Sequence, residues 1–190
     1  HMLGYGITTG SNYIDYLLTD ATWMEPRFRE HCTETMVYMP DTWFIGSQVP
    51  RSSKVYTRRG LGLPTEGFVF CNFNQTFKFE PTIFAVWMNI LKRVPNSVFW
   101  MGAWDSTTAE NFRNKAREHG VVPERIIVSN IDPPPDHAAR LGLANLMLDT
   151  RVHGGGATTI DALWAGVPVV TCPGDLPTSG NGRSLCIAHG

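Results

Sequence analysis

The chain has 190 residues, 43% of them hydrophobic, and its 16 basic and 17 acidic residues give a formal net charge of −1. This length and composition predict a globular chain of one domain or parts of two. The near-neutral charge gives no electrostatic basis for binding nucleic acid or an anionic membrane surface, so we expect neither as a partner. No apolar run approaches the roughly 20 residues that span a bilayer. No signal peptide is recognisable, which favours a soluble protein of a reducing compartment.

The four cysteines are far apart in the sequence and form no C-x-x-C pair. Their spacing indicates neither a disulfide framework nor a zinc site, so we expect reduced thiols and no bound metal. Cys71 and Cys172 fall in apolar, strand-like runs and are predicted to be buried as small hydrophobic residues.

The first part of the chain differs in pattern from the rest. Residues 13–20 predict one strand, residues 25–40 predict a helix running into an extended piece, and residues 46–64 form a polar linker with glycine and proline. We therefore predict that residues 1–60 are the end of one lobe plus a linker, and that residues 61–190 are most of a second lobe. We expect the chain to be a fragment.

From Leu61 onward short apolar runs alternate with amphipathic segments. Helical apolar spacing after Pro81 and a polar start and glycine stop around residues 105–120 are typical of helices. The predicted strands cover residues 68–73, 97–101, 125–129, 146–149 and 167–172, and the predicted helices begin near residues 81, 105, 133 and 158. This alternation predicts an α/β, Rossmann-like parallel sheet with flanking helices, whose ligands bind at the carboxyl ends of the strands.

The sequence "HGGG" at residues 153–156 separates a predicted strand from a predicted helix. The glycines permit a close turn, Thr158 or Thr159 is predicted to cap the helix, and the free amides of its first turn suit a pyrophosphate. Alternatively, the glycines serve only tight packing of strand and helix. An esterase oxyanion hole is not favoured, because no G-x-S-x-G follows and about 34 residues remain. Walker A and G-x-G-x-x-G patterns are not completed either.

Asp161 lies three residues after Thr158, which is the capping-box offset. Its carboxylate could cap the helix or interact with the helix dipole, or it could accept a hydrogen bond from a ligand hydroxyl. The residues alone leave both roles open.

Several segments together resemble a known enzyme family. The segments "CNFNQTFKFEP", "WMNILKRVPNSVFW", "DHAARLGLANLMLDT" and "DALWAGVPVVTCPG" are similar to the catalytic domain of the cytosolic and nuclear protein O-linked N-acetylglucosamine transferases. The likeness covers nearly the whole chain in order. It implies a GT-B architecture of two Rossmann-like lobes, here incomplete, with UDP-GlcNAc as donor. It also implies inverting, metal-independent transfer to Ser or Thr of proteins, without a cofactor, in the cytoplasm or nucleus, by a parent with tetratricopeptide repeats.

The resemblance also implies roles for individual residues. Lys78 corresponds to the essential lysine that meets the diphosphate, Gln75 to a nucleotide contact, and His137 and Arg140 to uridine contacts. Negative charge builds on the departing β-phosphate, so a lysine there stabilises the transition state more than the ground state. Further contacts with the nucleotide sugar are implied for Leu3, Gly4, Gly155, Gly156, Ala157, Thr158 and Asp161. The family's general base lies outside this chain.

The glycine run departs from the family pattern. Gly156 and Ala157 stand where the family commonly has the His and Thr of "GHTT", and so an imidazole and a hydroxyl are missing. Two alternatives therefore stay open. One is a SPINDLY-like protein O-fucosyltransferase that uses GDP-fucose, and the other is a non-catalytic nucleotide-sugar-binding domain.

Overall fold

A computed structural model describes residues 2, 7–46, 50–103 and 105–190. The chain divides into two compact units, which we call the first unit (residues 1–47, 149–160 and 171–190) and the sheet unit (residues 48–148 and 161–170). These units group segments by contact, whereas the predicted lobes, residues 1–60 and 61–190, follow chain order. The lobe assignment stays a prediction.

The sheet unit contains a five-stranded parallel sheet with the strand order β5-β4-β3-β6-β7. Phe70 in the central strand lies opposite Phe99 on one side and Leu146 on the other. The strands are β3 (Phe68–Asn72), β4 (Ser97–Gly102), β5 (Ile126–Ser129), β6 (Leu146–Leu148) and β7 (Val169–Val170). The predicted parallel sheet is therefore present, with a last strand shorter than expected.

Helices follow the strands as the sequence predicts. Helix α1 (Pro81–Arg93) starts with proline at its first position, and the Glu80 carboxylate accepts the Thr82 and Ile83 N–H groups at 2.7 and 2.9 Å. Helix α2 (Ser106–Glu118) is capped by Asp105, and Gly120 follows it with φ 75°. Within the described residues, the other α-helices are α3 (Pro134–Leu141), α4 (Ala157–Trp164) and α5 (Asn181–His189).

The sheet is packed on both faces because alternate strand residues point to opposite sides. Phe70 and Phe99 face a core that also contains Trp87 of α1 and Ala116 of α2. Trp100 belongs to the opposite core, whose other members include Val69, Cys71, Leu141, Met147 and Ala162. Burial raises the pKa of the Cys71 thiol to about 12, which agrees with its predicted hydrophobic role.

The first unit contains strands β1 (Tyr16–Thr19) and β2 (Thr35–Tyr38), which pair in parallel and are separated by a short 3₁₀ helix, Pro26–His31. Trp23 and Trp43 pack with ring centroids 4.5 Å apart in its core. The buried Asp20 carboxylate accepts the backbone N–H groups of both tryptophans and the Ser184 hydroxyl. One buried carboxylate thus joins three segments of this unit.

Two local predictions are wrong. Cys172 is exposed, because β7 ends at Val170 and the chain has left the sheet before the cysteine. Helix α4 begins at Ala157, and the Gly156 carbonyl accepts the N–H groups of Thr159 and Ile160, so neither threonine precedes the helix as its cap. Among the described residues, no helix is long and apolar enough to cross a membrane.

Candidate functional site

The order of the strands creates a switch point in the sheet unit. From β3 the chain builds outward through β4 and β5 on one side, while β6 and β7 lie on the other side. Ligands of open α/β sheets bind outside the carboxyl ends of the strands where this reversal occurs. The segment that leaves the carboxyl end of β3, residues 73–80, is therefore the first candidate, and we call it the β3 loop.

Two buried asparagines hold the β3 loop. The Asn72 amide donates to the Leu148 carbonyl at 2.5 Å, and its side-chain oxygen accepts the Asn74 backbone N–H at 2.7 Å. Asn74 in turn accepts the Lys78 ammonium at 3.3 Å. Lys78 is partly buried in the short 3₁₀ helix Thr76–Lys78, whereas Gln75 is exposed. The predicted lysine is therefore held at the carboxyl edge of the sheet by a chain of side-chain hydrogen bonds.

Sequence reasoning missed both asparagines. Their signal was available, because amide side chains that directly follow a buried strand can bond the backbone locally and shape a loop. Each has a residue-specific task in the β3 loop, since Asn72 fixes it to β6 and Asn74 orients Lys78.

A small cavity of about 90 Å³ lies beside this loop and is lined by Phe73, Asn74, Gln75, Thr76, Gly102 and Ile131. It is smaller than the roughly 300–1,000 Å³ of a complete ligand pocket. A Cβ atom at Gly102 would come within 2.5 Å of the Ile131 side chain and 3.1 Å of Phe73. Glycine at this position permits the ends of β3, β4 and β5 to converge closely.

His137 and Arg140 lie on one face of α3 and contact each other. The Arg140 Nε–H donates to His137 Nδ1 at 3.4 Å, and the imidazole packs against Phe73 with centroids 4.7 Å apart. Because Phe73 also lines the small cavity, His137 and the β3 loop share one edge of the sheet.

His137 is neutral near physiological pH. Burial, and then the Arg140 charge, lower its pKa from 6.5 to about 4. Since Nδ1 accepts from Arg140, the ring proton is assigned to Nε2, which is then a hydrogen-bond donor.

Arg140 is buried, with only 2% of its side chain exposed. Its guanidinium pairs with Asp132 at 2.7 Å, donates to the Asn130 carbonyl at 2.9 Å, and lies over the rings of Phe73 and Trp100. Its hydrogen bonds thus connect α3 to the segment after β5, and burial lowers its pKa. The predicted uridine contact of Arg140 stays a prediction.

The glycine run in the first unit surrounds a carboxylate of the chain itself. Asp149 Oδ1 accepts the backbone N–H groups of Gly155 and Thr150, each at 2.8 Å, and Oδ2 accepts the Thr171 hydroxyl at 2.9 Å. The Gly154 N–H donates to the Thr178 carbonyl at 3.0 Å. Two glycine amides are therefore engaged within the protein, which supports the packing interpretation for this part of the run.

The start of α4 is also closely packed. A Cβ atom at Gly156 would lie 2.6 and 2.7 Å from two atoms of the Phe44 ring, so Phe44 would have to move to admit a side chain there. The Thr159 hydroxyl donates back to the Gly155 carbonyl at 3.0 Å. Ala157 is exposed and Thr158 is partly buried. The predicted donor contacts of Gly155, Gly156, Ala157 and Thr158 stay predictions.

Asp161 lies in the second turn of α4, so it is not at the capping-box position relative to Gly156, and that interpretation is wrong. Burial raises the pKa of its carboxyl group. No side-chain hydrogen bond of Asp161 is present within the part of the chain that the structure describes. A partly buried acceptor of this kind is a functional-site candidate.

Leu3 and Gly4, the predicted contacts near the sugar, lie outside the described residues. Across the ranges that are described, no group of three His, Cys, Asp or Glu residues is arranged to hold a metal ion.

Comparison with known proteins gives consistent matches. The sequence model of glycosyl transferase family 41 matches residues 1–49 and 45–188. A probable UDP-N-acetylglucosamine–peptide N-acetylglucosaminyltransferase SEC of Arabidopsis thaliana is 36% identical over 99% of this chain and 20% of its own length. A UDP-N-acetylglucosamine–peptide N-acetylglucosaminyltransferase of Caenorhabditis elegans is 38% identical over 67% of this chain and 11% of its own length. The probable SPINDLY enzyme of Petunia hybrida is 31% identical over 96% of this chain and 20% of its own length.

A solved structure agrees with this result. A mutant of the Thermobaculum terrenum O-GlcNAc transferase superposes with a TM-score of 0.81 and 27% identity, over 96% of this chain and 34% of that chain. The predicted fold class, an incomplete α/β GT-B-type fold with a Rossmann-like parallel sheet, is confirmed. The chain spans about one fifth or less of the curated relatives named above.

Proposed function

Because this chain belongs to glycosyl transferase family 41, we propose that it is the nucleotide-sugar-binding part of a UDP-GlcNAc:protein N-acetylglucosaminyltransferase. The intact protein would transfer the sugar, with inversion, to Ser or Thr hydroxyls. The observation that carries the proposal is the β3 loop, which holds Lys78 at the carboxyl end of the central strand, beside the switch point of the sheet.

Lys78 has the charge that the reaction requires. When an acceptor oxygen attacks C1 of the sugar, the bond from C1 to the β-phosphate oxygen breaks, and its electron pair stays on the departing UDP. An ammonium group aimed at that oxygen stabilises the developing charge more than the ground state. The hydrogen bond from Lys78 to Asn74 restricts the ammonium before the donor binds. The acceptor proton is proposed to pass to a general base of the intact protein.

Other groups of the sheet unit suit the rest of the donor. We assign His137, with its neutral ring and Nε2–H donor, to the uridine together with the exposed Gln75 amide. Asp161 is assigned to a donor hydroxyl, since its carboxylate has accepting capacity and burial disfavours leaving it unpaired.

The intact protein is proposed to act in the cytoplasm or nucleus, to carry tetratricopeptide repeats, and to need neither metal nor cofactor. Its acceptors are proposed to be Ser and Thr residues of proteins. An excess of EDTA should leave sugar transfer by the intact protein unchanged within about twofold, because a lysine rather than a metal offsets the leaving-group charge. A tenfold loss that Mg²⁺ or Mn²⁺ restores would contradict metal independence.

Binding to the purified chain tests the donor. Isothermal titration should detect UDP and UDP-GlcNAc at millimolar or lower concentration, with GDP and GDP-fucose binding at least about tenfold more weakly, a difference of about 1.4 kcal/mol. Absence of heat with every nucleotide would contradict nucleotide-sugar binding. Preference for GDP-fucose would favour the SPINDLY-like O-fucosyltransferase.

The intact protein then separates an enzyme from a binding domain. Transfer of radiolabelled GlcNAc to a protein acceptor supports the proposal, whereas UDP binding without any transfer indicates the non-catalytic alternative. The departure at Gly156 and Ala157 makes this second measurement necessary.

A further inference from the structure

We propose that Asp149 is a positioning residue of the donor site, whose buried carboxylate fixes the backbone of the glycine loop, residues 154–156. The link to the donor site rests on the function proposed above. The proposal concerns a residue that contacts the loop rather than the reacting atoms.

The Asp149 carboxylate accepts hydrogen bonds from the backbone of this loop. Only 4% of the residue is exposed, and Oδ1 accepts the Gly155 N–H at 2.8 Å across six residues of chain. The same oxygen accepts the Thr150 N–H at 2.8 Å, while Oδ2 accepts the Thr171 hydroxyl at 2.9 Å. Hydrogen bonds to a charged acceptor are stronger than neutral ones, so this carboxylate holds the loop firmly.

The surrounding glycines make room for the carboxylate. A Cβ atom at Gly154 would lie 3.3 Å from Oδ2 of Asp149, and one at Gly155 would lie 3.1 Å from Oδ1. A Cβ atom at Gly182 would clash with Oδ2. Gly182 lies in the first turn of α5, where the helix dipole favours a negative charge. Three glycines from two separate segments therefore permit one aspartate to be buried.

This arrangement divides the loop into two parts. The Gly155 N–H is bonded to Asp149 and the Gly154 N–H to Thr178, so these amides anchor the loop. The anchored residues lead directly into the start of α4, where Ala157 and Thr158 are the predicted donor contacts. By fixing Gly155, Asp149 sets the position of that helix start.

Two substitutions of Asp149 separate the loss of the negative charge from the loss of the hydrogen-bond acceptor. Asp149→Asn keeps one oxygen for the Gly155 and Thr150 amides, and its new NH₂ group can donate to the Thr171 hydroxyl. Asp149→Ala removes every acceptor. We expect Asp149→Ala to speed hydrogen exchange of the Gly155 amide and to weaken UDP binding, each by at least about tenfold, whereas Asp149→Asn stays within about threefold for both.

Milder variants cover the case in which Asp149→Ala does not fold. Thr171→Val removes only the bond to Oδ2, and Gly182→Ala pushes a methyl group against that oxygen. Gly174→Ala is the matched control, because its Cβ would meet neighbours at 3.7 Å or more. We expect Gly182→Ala to accelerate exchange at Gly155 and to weaken UDP binding by about fivefold or more, with Gly174→Ala unchanged.

The two readouts keep this proposal distinct from the proposed function. Unchanged Gly155 exchange in folded Asp149→Ala, or in Gly182→Ala, would show that Asp149 does not anchor the loop. Faster exchange with unchanged UDP affinity would remove the link to the donor site, as would an equal loss of affinity in Asp149→Asn and Asp149→Ala. If the unaltered chain does not bind UDP, the proposed function and this link both fail, and the exchange data still decide whether Asp149 anchors the loop.

Discussion

The β3 loop and the glycine loop both follow parallel strands, yet they use polar groups in opposite ways. The β3 loop has side chains of several kinds and leaves Gln75 exposed, with Lys78 held by a neighbouring amide. The glycine loop consists of three glycines and has no side chains, and its Gly154 and Gly155 amides are bonded within the protein.

The difference shows that a run of glycines does not identify a ligand site on its own. In this chain the glycines reduce the distance between a buried carboxylate and the backbone. The proposed function depends instead on the β3 loop, which contains no glycine and whose side chains are proposed to carry the chemistry.

The largest expected effect comes from the lysine of the β3 loop. Lys78→Met in the intact protein should lower sugar transfer at least about 100-fold while the thermal unfolding midpoint is unchanged, because a charge that stabilises the leaving group is lost. Rates with radiolabelled donor measure the effect. Lys92→Met, an exposed lysine in the last turn of α1, is the control and should keep full activity. A Lys78→Met protein with normal turnover would remove this residue from the mechanism.

Substitution of Arg140 tests whether the region around the β3 loop depends on the buried arginine network for its stability. Arg140→Ala breaks the pair with Asp132 and the bond to the Asn130 carbonyl, and it should lower the free energy of unfolding by about 3 kcal/mol. Urea denaturation measures this change. The exposed Arg113→Ala should differ by less than about 0.5 kcal/mol. A loss below about 1 kcal/mol at Arg140 would show that the network contributes little.

His137 is expected to make the stability of the folded chain depend on pH. Its pKa is about 4 in the folded protein and 6.5 ordinarily, so the unfolded chain binds more protons between these values. Stability should therefore fall by up to about 3 kcal/mol as the pH decreases from 6.5 to 4.

Unfolding midpoints measured along this pH range test the His137 prediction. His137→Gln should flatten the profile, and His31→Gln, with a largely exposed ring in the first unit, should leave it unchanged. Equal slopes in the original chain and in His137→Gln would show that another group is responsible.

The smallest effect is expected in the glycine loop. Gly156→Ala places a methyl group against the Phe44 ring and should lower stability by about 1–2 kcal/mol through overpacking. Thermal denaturation measures it against Gly174→Ala, where the added methyl group has room. If both alanine variants are equally stable, the contact with Phe44 is not restrictive, and the glycine loop tolerates side chains as the β3 loop does.

The sequence predicted the alternating elements well because their signals are local. Buried strands such as β3 and β4 are continuous apolar runs, and α1 has its apolar residues at helical spacing after a proline. Cys172 failed as a buried position because the length of the last strand depends on its partner β6 rather than on its own residues.

The candidate site was predictable only in part. Lys78 and His137 were predicted as site residues because their segments resemble a family, and the structure locates them at one sheet edge. The burial of Arg140 was not predictable, since arginine is mostly exposed unless paired and its partner Asp132 becomes close only on folding. The hydrogen bond from the Gly155 N–H to Asp149 was not predictable either, because nothing in "LDTRVHGGG" shows which backbone N–H donates to the carboxylate.

The order of the strands also affects how the chain folds. β3, β4 and β5 pair with their nearest neighbours in sequence, so they can assemble through short loop closures, whereas the bond from Asn72 to Leu148 joins residues 76 apart. Contacts between residues distant in sequence form slowly. During synthesis, the edge of β3 that later receives β6 therefore stays open until residues 146–148 have been made, and until then it is exposed to wrong pairing.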